Sequence, residues 1–286
     1  MADKAAISSN YETGNYATGS YQADGIQVDL YRPRQGAPRS NRPIVCVHGG
    51  TQASWAWEEF GPVFAAAGFD VHALNWRGRN GSADISEDDL LTLSIRDVVP
   101  DIEKVAARLD TRPILVGHSM GGLASQLYAE RFDVQALLLL APVVPKETDA
   151  EPIDVPIEMT SLWEPPSPEI AVAMFFDGLT PEQRDRNVNR IVPESPLRCY
   201  EATRITVSID PDRIRVPVLV VSGGDDRLTP PASGKALAEL YNAEHRVLPG
   251  FGHNMLLGER ARRTAQDLVP WLRIQDAGEH DGALRP

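Results

Sequence analysis

The chain has 286 residues, of which 42% are hydrophobic and 24% charged, so it can bury a sizeable core and is neither collagen-like nor broadly disordered. Its length fits either two small domains or one large α/β domain with an insertion. A formal net charge of −12, without a cluster of Lys and Arg, argues against binding to a nucleic-acid backbone.

Residues 1–24 open the chain with a polar segment in which Tyr11, Tyr16 and Tyr21 are spaced by five. This spacing matches neither the period of a helix nor that of a strand. We therefore predict a mobile N-terminal arm over these residues.

Short apolar runs of strand length, bounded by turn residues, follow the arm at 26–31, 43–47, 71–75, 113–117, 136–140, 216–222 and 245–248. Several of these runs hardly alternate, which is typical of strands covered on both faces. Helical patterns lie between them at 54–67, 93–109, 120–131, 231–241 and 256–272. The alternation predicts an α/β fold with a mostly parallel, doubly wound sheet, built from residues 25–141 and 216–273.

The alternation of strands and helices is interrupted between residues 142 and 215. This interval is rich in proline and contains two helix-like stretches, at 168–176 and 181–191. A structureless loop of that length would be unusual in a compact domain, so we predict an inserted, partly helical cap. The polar residues 274–286 predict a frayed tail.

The strongest chemical signal is the sequence GHSMGG at residues 117–122, between a predicted strand and a predicted helix. A G-x-S-x-G sequence in this context forms a tight elbow that presents its serine, here Ser119, at the carboxyl end of the sheet. The helix that follows favours developing negative charge at its N-terminus. The alternative interpretation is a glycine-rich turn whose serine only caps the helix.

A serine nucleophile needs a general base and an acid that orients the base. His253 follows the last predicted strand in a glycine-rich loop, at the sheet edge where a base would meet Ser119. Asp225 and Asp226 follow the strand predicted at 216–222 and supply the candidate acid. The order serine, aspartate, histidine is that of α/β hydrolases. A surface turn histidine and solvated turn aspartates are the alternatives, and at least one aspartate must be of that kind.

The sequence HGGT at residues 48–51 comes directly after a predicted strand. Glycines there allow backbone N–H groups to approach a bound carbonyl oxygen. We predict an oxyanion hole formed by the N–H groups of Gly50 and Met120. A plain strand-to-helix turn is the alternative.

Together, HGGT at 48–51, GHSMGG at 117–122 and GHNM at 252–255 resemble the α/β-hydrolase superfamily, in particular its methyl esterase and hydroxynitrile lyase branch with bacterial esterase relatives. The resemblance covers residues 25–272. It implies an acid four residues before the proline that opens the next helix, which selects Asp226 over Asp225. One loop, NWRGRNGS at 75–82, departs from the family pattern by an initial Asn and one extra residue.

The resemblance also bears on the substrate pocket. Trp55 and Trp57 match the pocket-side aromatic pair of that branch, with packing of the helix against the sheet as the alternative. In the cap, Trp163, Phe175 and Phe176, with Met174, suggest an apolar pocket lining or the small core of the cap itself.

The leading hypothesis is a serine esterase or thioesterase that forms an acyl-enzyme on Ser119 and acts on a small-molecule substrate without a metal or cofactor. The alternatives are a carbon–carbon lyase, a cofactor-free dioxygenase or perhydrolase, and a non-catalytic binding protein. By resemblance, the plant lyases carry Thr and Lys where this chain has Gly49 and Arg227, which disfavours a lyase.

Signals for the cellular location are few. The longest apolar run is interrupted by Pro142, so we expect no membrane span, and the first ten residues lack the apolar core of a secretory signal. Cys46 and Cys199 suggest neither a disulfide framework nor a zinc cluster. We therefore expect a cytoplasmic protein, and the sequence does not predict its oligomeric state.

Overall fold

A computed structural model describes residues 8–13, 16–165, 167–176 and 178–278 of the chain. Within these ranges, nine strands form one sheet. The strands are β1 (Ser8–Thr13), β2 (Tyr16–Ala23), β3 (Ile26–Pro33), β4 (Ile44–Val47), β5 (Val71–Leu74), β6 (Ile114–His118), β7 (Ala136–Leu140), β8 (Val218–Gly223) and β9 (Glu244–Leu248).

The α-helices alternate with these strands along most of the chain. They are α1 (Phe60–Ala66), α2 (Glu87–Leu91), α3 (Val99–Ala106), α4 (Met120–Ala129), α5 (Pro168–Phe175), α6 (Pro181–Val188), α7 (Pro196–Arg204), α8 (Pro231–Tyr241) and α9 (Glu259–Ala277). Short 3-10 helices occur at Ser54–Trp57, Ile95–Val98, Lys146–Thr148 and Pro211–Arg213.

The strand order is β1-β2-β3-β5-β4-β6-β7-β8-β9. Pairing is antiparallel from β1 to β5 along this order and parallel from β5 to β9. The chain leaves β4 toward β5 on one side and returns to β6 on the other, so the carboxyl ends of β4 and β6 flank a switch point of the topology. Such points are where open α/β sheets bind ligands. The predicted doubly wound, mostly parallel sheet is confirmed.

The core lies on both faces of the sheet because the central strands are apolar on both sides. All residues of β4 through β8 are buried. In β4, Val45 and Val47 belong to the core under α3 and α4, whereas Ile44 and Cys46 belong to the core under α1 and α9. The sheet is thereby fixed as a rigid base for the loops at its carboxyl edge.

The N-terminal prediction is wrong for residues 8–13 and 16–23, which form β1 and β2 rather than a mobile arm. β2 pairs with β3 along its whole length, and this backbone pairing is independent of the spacing of the tyrosines. Tyr21 also bonds His72 in β5, with 2.8 Å between its hydroxyl and Nδ1. Residues 1–7 and 14–15 of the predicted arm lie outside the described residues.

The predicted frayed tail is wrong for residues 274–278, because α9 continues to Ala277. The Asp276 carboxylate accepts hydrogen bonds from the Ser40 hydroxyl and from the N–H groups of Asn41 and Arg42. Gln135 donates to the carbonyl oxygens of Gln275 and Gly278. These long-range bonds hold the end of the helix against the core, and residues 279–286 lie outside the described residues.

The segment between β7 and β8, predicted to be a cap, contains α5, α6 and α7. α5 begins at Pro168 as predicted, α6 ends at Val188, earlier than predicted, and α7 was not predicted. Within the described residues, we find no helix that is both long and apolar enough to cross a membrane.

Candidate active site

Ser119 lies at a strained turn between β6 and α4. Its backbone has φ 53° and ψ −124°, a conformation that residues other than glycine rarely adopt. Gly117 and Gly121, on either side of the serine, are required by close packing. A Cβ on Gly117 would lie 2.6 Å from the carbonyl oxygen of Gly121. A Cβ on Gly121 would lie 2.2 Å from the carbonyl oxygen of His48. The sequence GHSMGG therefore forms the predicted elbow.

Ser119, His253 and Asp226 form a continuous hydrogen-bonded chain. The Ser119 Oγ is 2.9 Å from His253 Nε2, and His253 Nδ1 is 2.9 Å from Asp226 Oδ2. All three side chains are buried. With the Nδ1 proton directed at the carboxylate, Nε2 is left to accept the serine proton.

Asp226 is held as a carboxylate by local donors. Its Oδ1 accepts bonds from the backbone N–H groups of Leu228 and Thr229, at 2.8 and 3.0 Å, and its Oδ2 accepts the Thr229 hydroxyl at 2.7 Å. Burial alone would raise the pKa of Asp226, but its interactions with His253 and Thr229 hold that pKa below its usual value. Asp225 is exposed, so the structure places only Asp226 against the histidine.

The two predicted oxyanion donors lie beside the serine. β4 and β6 are neighbours, with Val47 opposite Gly117, so the loop after β4 meets the elbow at the same edge. A Cβ on Gly50 would lie 2.7 Å from Met120 Sδ. Among the hydrogen bonds of the described residues, the backbone N–H groups of Gly50 and Met120 have no acceptor. Both remain available to a ligand.

A pocket of about 70 Å³ opens onto these groups. An apolar cavity of about 150 Å³ is large enough to bind benzene, so the enclosed part of this pocket accepts a smaller group. Its walls are mainly apolar and come largely from the segment between β7 and β8. The apolar lining residues are Met120, Val143, Val155, Ile157, Trp163, Met174, Phe175, Cys199, Ala202 and Leu228. No Asp, Glu, Lys or Arg lines it in the described part of the chain.

Of the predicted substrate-binding residues, Trp163 and Phe175 line the pocket and pack edge to face, with ring centroids 6.3 Å apart. The prediction is wrong for Trp55, Trp57 and Phe176. Trp57 and Phe176 are buried in the core under α1 and α9, and the Arg190 guanidinium covers the Trp55 ring. The 3-10 helix that carries both tryptophans packs toward the sheet, so the packing alternative holds.

Sequence reasoning missed several residues of the site. Val143, Val155, Ile157 and Cys199 come from stretches that carry no motif, and only their position in the fold brings them to the serine. It also missed Glu194, a fully buried carboxylate behind the loop that follows β4. A single acidic residue in a polar stretch gives no signal that it will be buried.

Comparison with known sequences decides the family. The sequence model described as the alpha/beta hydrolase family matches residues 44–267. The chain belongs to this family. It is 26% identical over 246 residues to a non-heme chloroperoxidase of Burkholderia pyrrocinia, covering 77% of this chain and 87% of that protein. It is 25% identical over 256 residues to a monoacylglycerol lipase of Mycolicibacterium smegmatis, covering 80% and 87%.

The resemblance to the methyl esterase branch is also confirmed. Methylesterase 7 of Arabidopsis thaliana is 24% identical over 202 residues, covering 66% of this chain and 74% of that protein. Among solved structures, a serine hydrolase involved in carbazole degradation superposes with a TM-score of 0.65 at 19% identity, covering 91% of this chain and 99% of that one. Esterases, lipases and haloperoxidases thus share this fold, and the reaction has to be argued from the site.

Proposed function

We propose that this protein is a carboxylic ester hydrolase with Ser119 as its nucleophile. The observation that carries the proposal is the pair of 2.9 Å contacts linking Ser119 Oγ to His253 and His253 to Asp226. A serine hydroxyl becomes an effective nucleophile when a base accepts its proton and an acid stabilises the charged base. The esterase and lipase relatives support the same reaction class.

The reaction begins when Ser119 Oγ attacks the ester carbonyl carbon while its proton passes to His253 Nε2. Negative charge then develops on the carbonyl oxygen, where the N–H groups of Gly50 and Met120 bind it. Collapse of this tetrahedral species breaks the bond to the alcohol, which takes the proton from His253 and leaves an acyl-enzyme. A water molecule, deprotonated by His253, attacks the acyl carbon and releases the acid and the free serine.

The pocket favours a short, uncharged substrate group. Its walls are mainly apolar and contribute no charged side chain in the described residues, so a charged group would lose its hydration without gaining a partner. The small volume limits the length of the chain that enters. We therefore propose neutral esters or thioesters with short apolar groups as substrates.

Turnover on a chain-length panel of esters and thioesters tests this function. We expect saturable hydrolysis of the short members and a loss of more than about 10⁴-fold in Ser119→Ala. Ser233→Ala, a buried serine at the start of α8, is the matched control and should keep wild-type turnover. Unchanged turnover in Ser119→Ala would overturn the proposal.

Perhydrolysis is a second candidate, favoured by the similarity to non-heme chloroperoxidases. The same acyl-enzyme attacked by hydrogen peroxide instead of water gives a peracid and the free serine. Peracid formation from acetate and hydrogen peroxide, measured in the wild type and in Ser119→Ala, tests it. Serine-dependent peracid faster than ester hydrolysis would place this reaction first.

A carbon–carbon lyase of the plant type remains disfavoured. Arg227, at the position of the lyase Lys, is exposed and does not line the pocket. Gly49, at the position of the lyase Thr, has no hydroxyl to offer. We expect no release of cyanide from mandelonitrile above the uncatalysed rate.

A further inference from the structure

Glu194 carries a carboxylate that is completely buried between the segment after β7 and the loop after β4. Its Oε1 accepts the Ser195 N–H at 2.8 Å and Arg198 at 3.2 Å, and its Oε2 accepts the Thr51 N–H at 3.0 Å and Arg79 at 2.8 Å. Every bond of this group is therefore made to a defined donor, and two of the donors are charged. Buried charges with this degree of pairing are fixed in one geometry.

One of these bonds reaches the proposed oxyanion turn, residues 48–51. The carboxylate accepts the Thr51 N–H, and the Val192 N–H donates to the Thr51 carbonyl oxygen at 3.0 Å, so both backbone polar groups of Thr51 are bound by the segment between β7 and β8. Thr51 also has a positive φ of 59°, a conformation that needs such support. Gly50 lies directly against this contact, since a Cβ there would be 3.4 Å from Glu194 Oε2.

The two arginines anchor the same carboxylate to the rest of the edge. Arg79 belongs to the loop that departs from the family pattern, and it also donates to the Pro193 carbonyl oxygen at 2.8 Å. The Arg198 guanidinium lies 5.0 Å from the Trp76 ring, which stacks on His48 at 4.3 Å. His48 in turn contacts the Gly49 carbonyl oxygen through Nδ1 at 2.7 Å. Glu194 is thus connected to both ends of the oxyanion turn.

The electrostatics keep Glu194 ionised. Burial by itself would raise its pKa, but the charges of Arg79 and Arg198, with the N–H groups of Ser195 and Thr51, lower that pKa to about 2. The carboxylate is therefore ionised, and able to accept the Thr51 N–H, at neutral pH.

We propose that Glu194 is a positioning residue that fastens the oxyanion turn to the segment over the pocket and thereby holds the Gly50 N–H toward the reacting oxygen. The inference rests on the proposed ester hydrolysis and on the oxyanion role of Gly50. Glu194 does not line the pocket, and it acts on the reaction through Thr51 and Gly50.

Glu194→Gln tests this role. The amide keeps the size of the side chain but replaces one acceptor oxygen by an NH₂ group that faces N–H donors. The oxyanion contact forms fully only in the transition state, so we expect kcat to fall by roughly 10- to 100-fold with KM nearly unchanged. The affinity for a boronic acid that mimics the tetrahedral species should fall by a similar factor.

Glu201→Gln is the matched control. Glu201 is also a carboxylate on the segment between β7 and β8, and it binds the Ser94 hydroxyl and the Ile95 N–H at 2.7 Å without contacting the oxyanion turn. Each variant loses a carboxylate that ties this segment to the rest of the molecule. Each should therefore be less thermally stable than the wild type. Only Glu194→Gln should lower kcat and the affinity for the boronic acid, with rates normalised to serines titrated by a phosphonate.

The outcomes separate the two proposals. Wild-type kcat and wild-type boronic acid affinity in folded Glu194→Gln, or the same losses in Glu201→Gln, would overturn the positioning role while leaving the ester hydrolysis intact. A wild-type protein inert to both esters and phosphonate would overturn the proposed function and the inference with it. If Glu194→Gln does not fold, Glu194→Asp keeps the charge for the arginines but is too short to hold Thr51, and it should show the same loss of kcat.

Discussion

The carboxyl edge of the sheet and the segment between β7 and β8 that covers it contribute to the candidate site in different ways. They are called the edge and the covering segment. The edge holds Ser119, Asp226 and His253 through the tight backbone turn at Ser119 and through directional hydrogen bonds of 2.7 to 2.9 Å that link these residues with one another and with Thr229. The covering segment contributes apolar walls such as Trp163 and Phe175, which make contacts without preferred direction. The edge therefore carries the proposed chemistry, and the covering segment carries the proposed choice of substrate.

This difference leads to different consequences of substitution. A shift of about 1 Å in a reacting group lowers the rate for every substrate by about 10²-fold, whereas loss of an apolar contact, worth about 1–3 kcal/mol, changes the preference between substrates. Glu194 is the exception, because it lies in the covering segment and yet bonds the oxyanion turn. Glu194 therefore couples the covering segment to the edge.

After Ser119 itself, the largest expected effect is at the acid. Asp226→Asn should lower turnover by a factor on the order of 10⁴, because the amide disturbs the histidine tautomer, while exposed Asp225→Asn should change it by less than about tenfold. Steady-state hydrolysis of a short p-nitrophenyl ester measures both, with folding checked by circular dichroism. A nearly active Asp226→Asn beside an inactive Asp225→Asn would reverse the assignment.

Acid should lower the free energy of unfolding through three buried histidines. Burial lowers the pKa of His48, His72 and His118 from 6.5 to about 3. Between these values the unfolded chain binds more protons than the native one, so the free energy of unfolding falls as the pH falls. From pH 7 to 5.5 each histidine should cost about 1 kcal/mol.

Urea unfolding at pH 7 and 5.5 measures this loss, which should reach about 3 kcal/mol for the three sites together. Asp101, whose pKa burial raises, works in the opposite sense, and His245, whose pKa burial lowers, works in the same sense. Equal free energies of unfolding at the two pH values would show that these imidazoles are not buried in their neutral form.

A smaller effect is expected in the covering segment. Phe175→Ala enlarges the pocket next to His253, whose ring centroid lies 6.4 Å from that of Phe175. We expect kcat/KM for the shortest esters to fall roughly tenfold and the optimum to move to longer chains, with turnover numbers little changed. Phe251→Ala, outside the pocket and under Arg260, is the control and should leave the chain-length profile unchanged. An unchanged profile in Phe175→Ala would contradict a pocket-lining role.

The same contrast explains which parts of the molecule were predictable from the sequence. The edge depends on close backbone approaches that only glycine permits, so Gly117 and Gly121 mark the elbow around Ser119 in the sequence itself. The acid and the base follow strands whose apolar runs are equally visible. Parallel strands end at one edge, which is why residues distant in the chain were correctly expected to lie together.

The covering segment offers no such constraint. An aromatic residue fits a core and a pocket equally well, and Trp57 and Phe176 were assigned to the wrong one. Glu194 and Arg79 were missed because a charged residue in a polar stretch indicates solvent unless its partners are known. Strand β2 was missed because it is defined by its backbone hydrogen bonds to β3, which leave no pattern in the side chains of β2.

The central claim is that Ser119 is an activated nucleophile, and covalent labelling tests it most directly. An active-site phosphonate should add once per chain, with the adduct mapped to the peptide containing Ser119, because only a serine paired with a base attacks phosphorus quickly. His253→Ala should remain unlabelled under the same conditions. Labelling at another residue, or no labelling of a preparation that hydrolyses esters, would contradict the account.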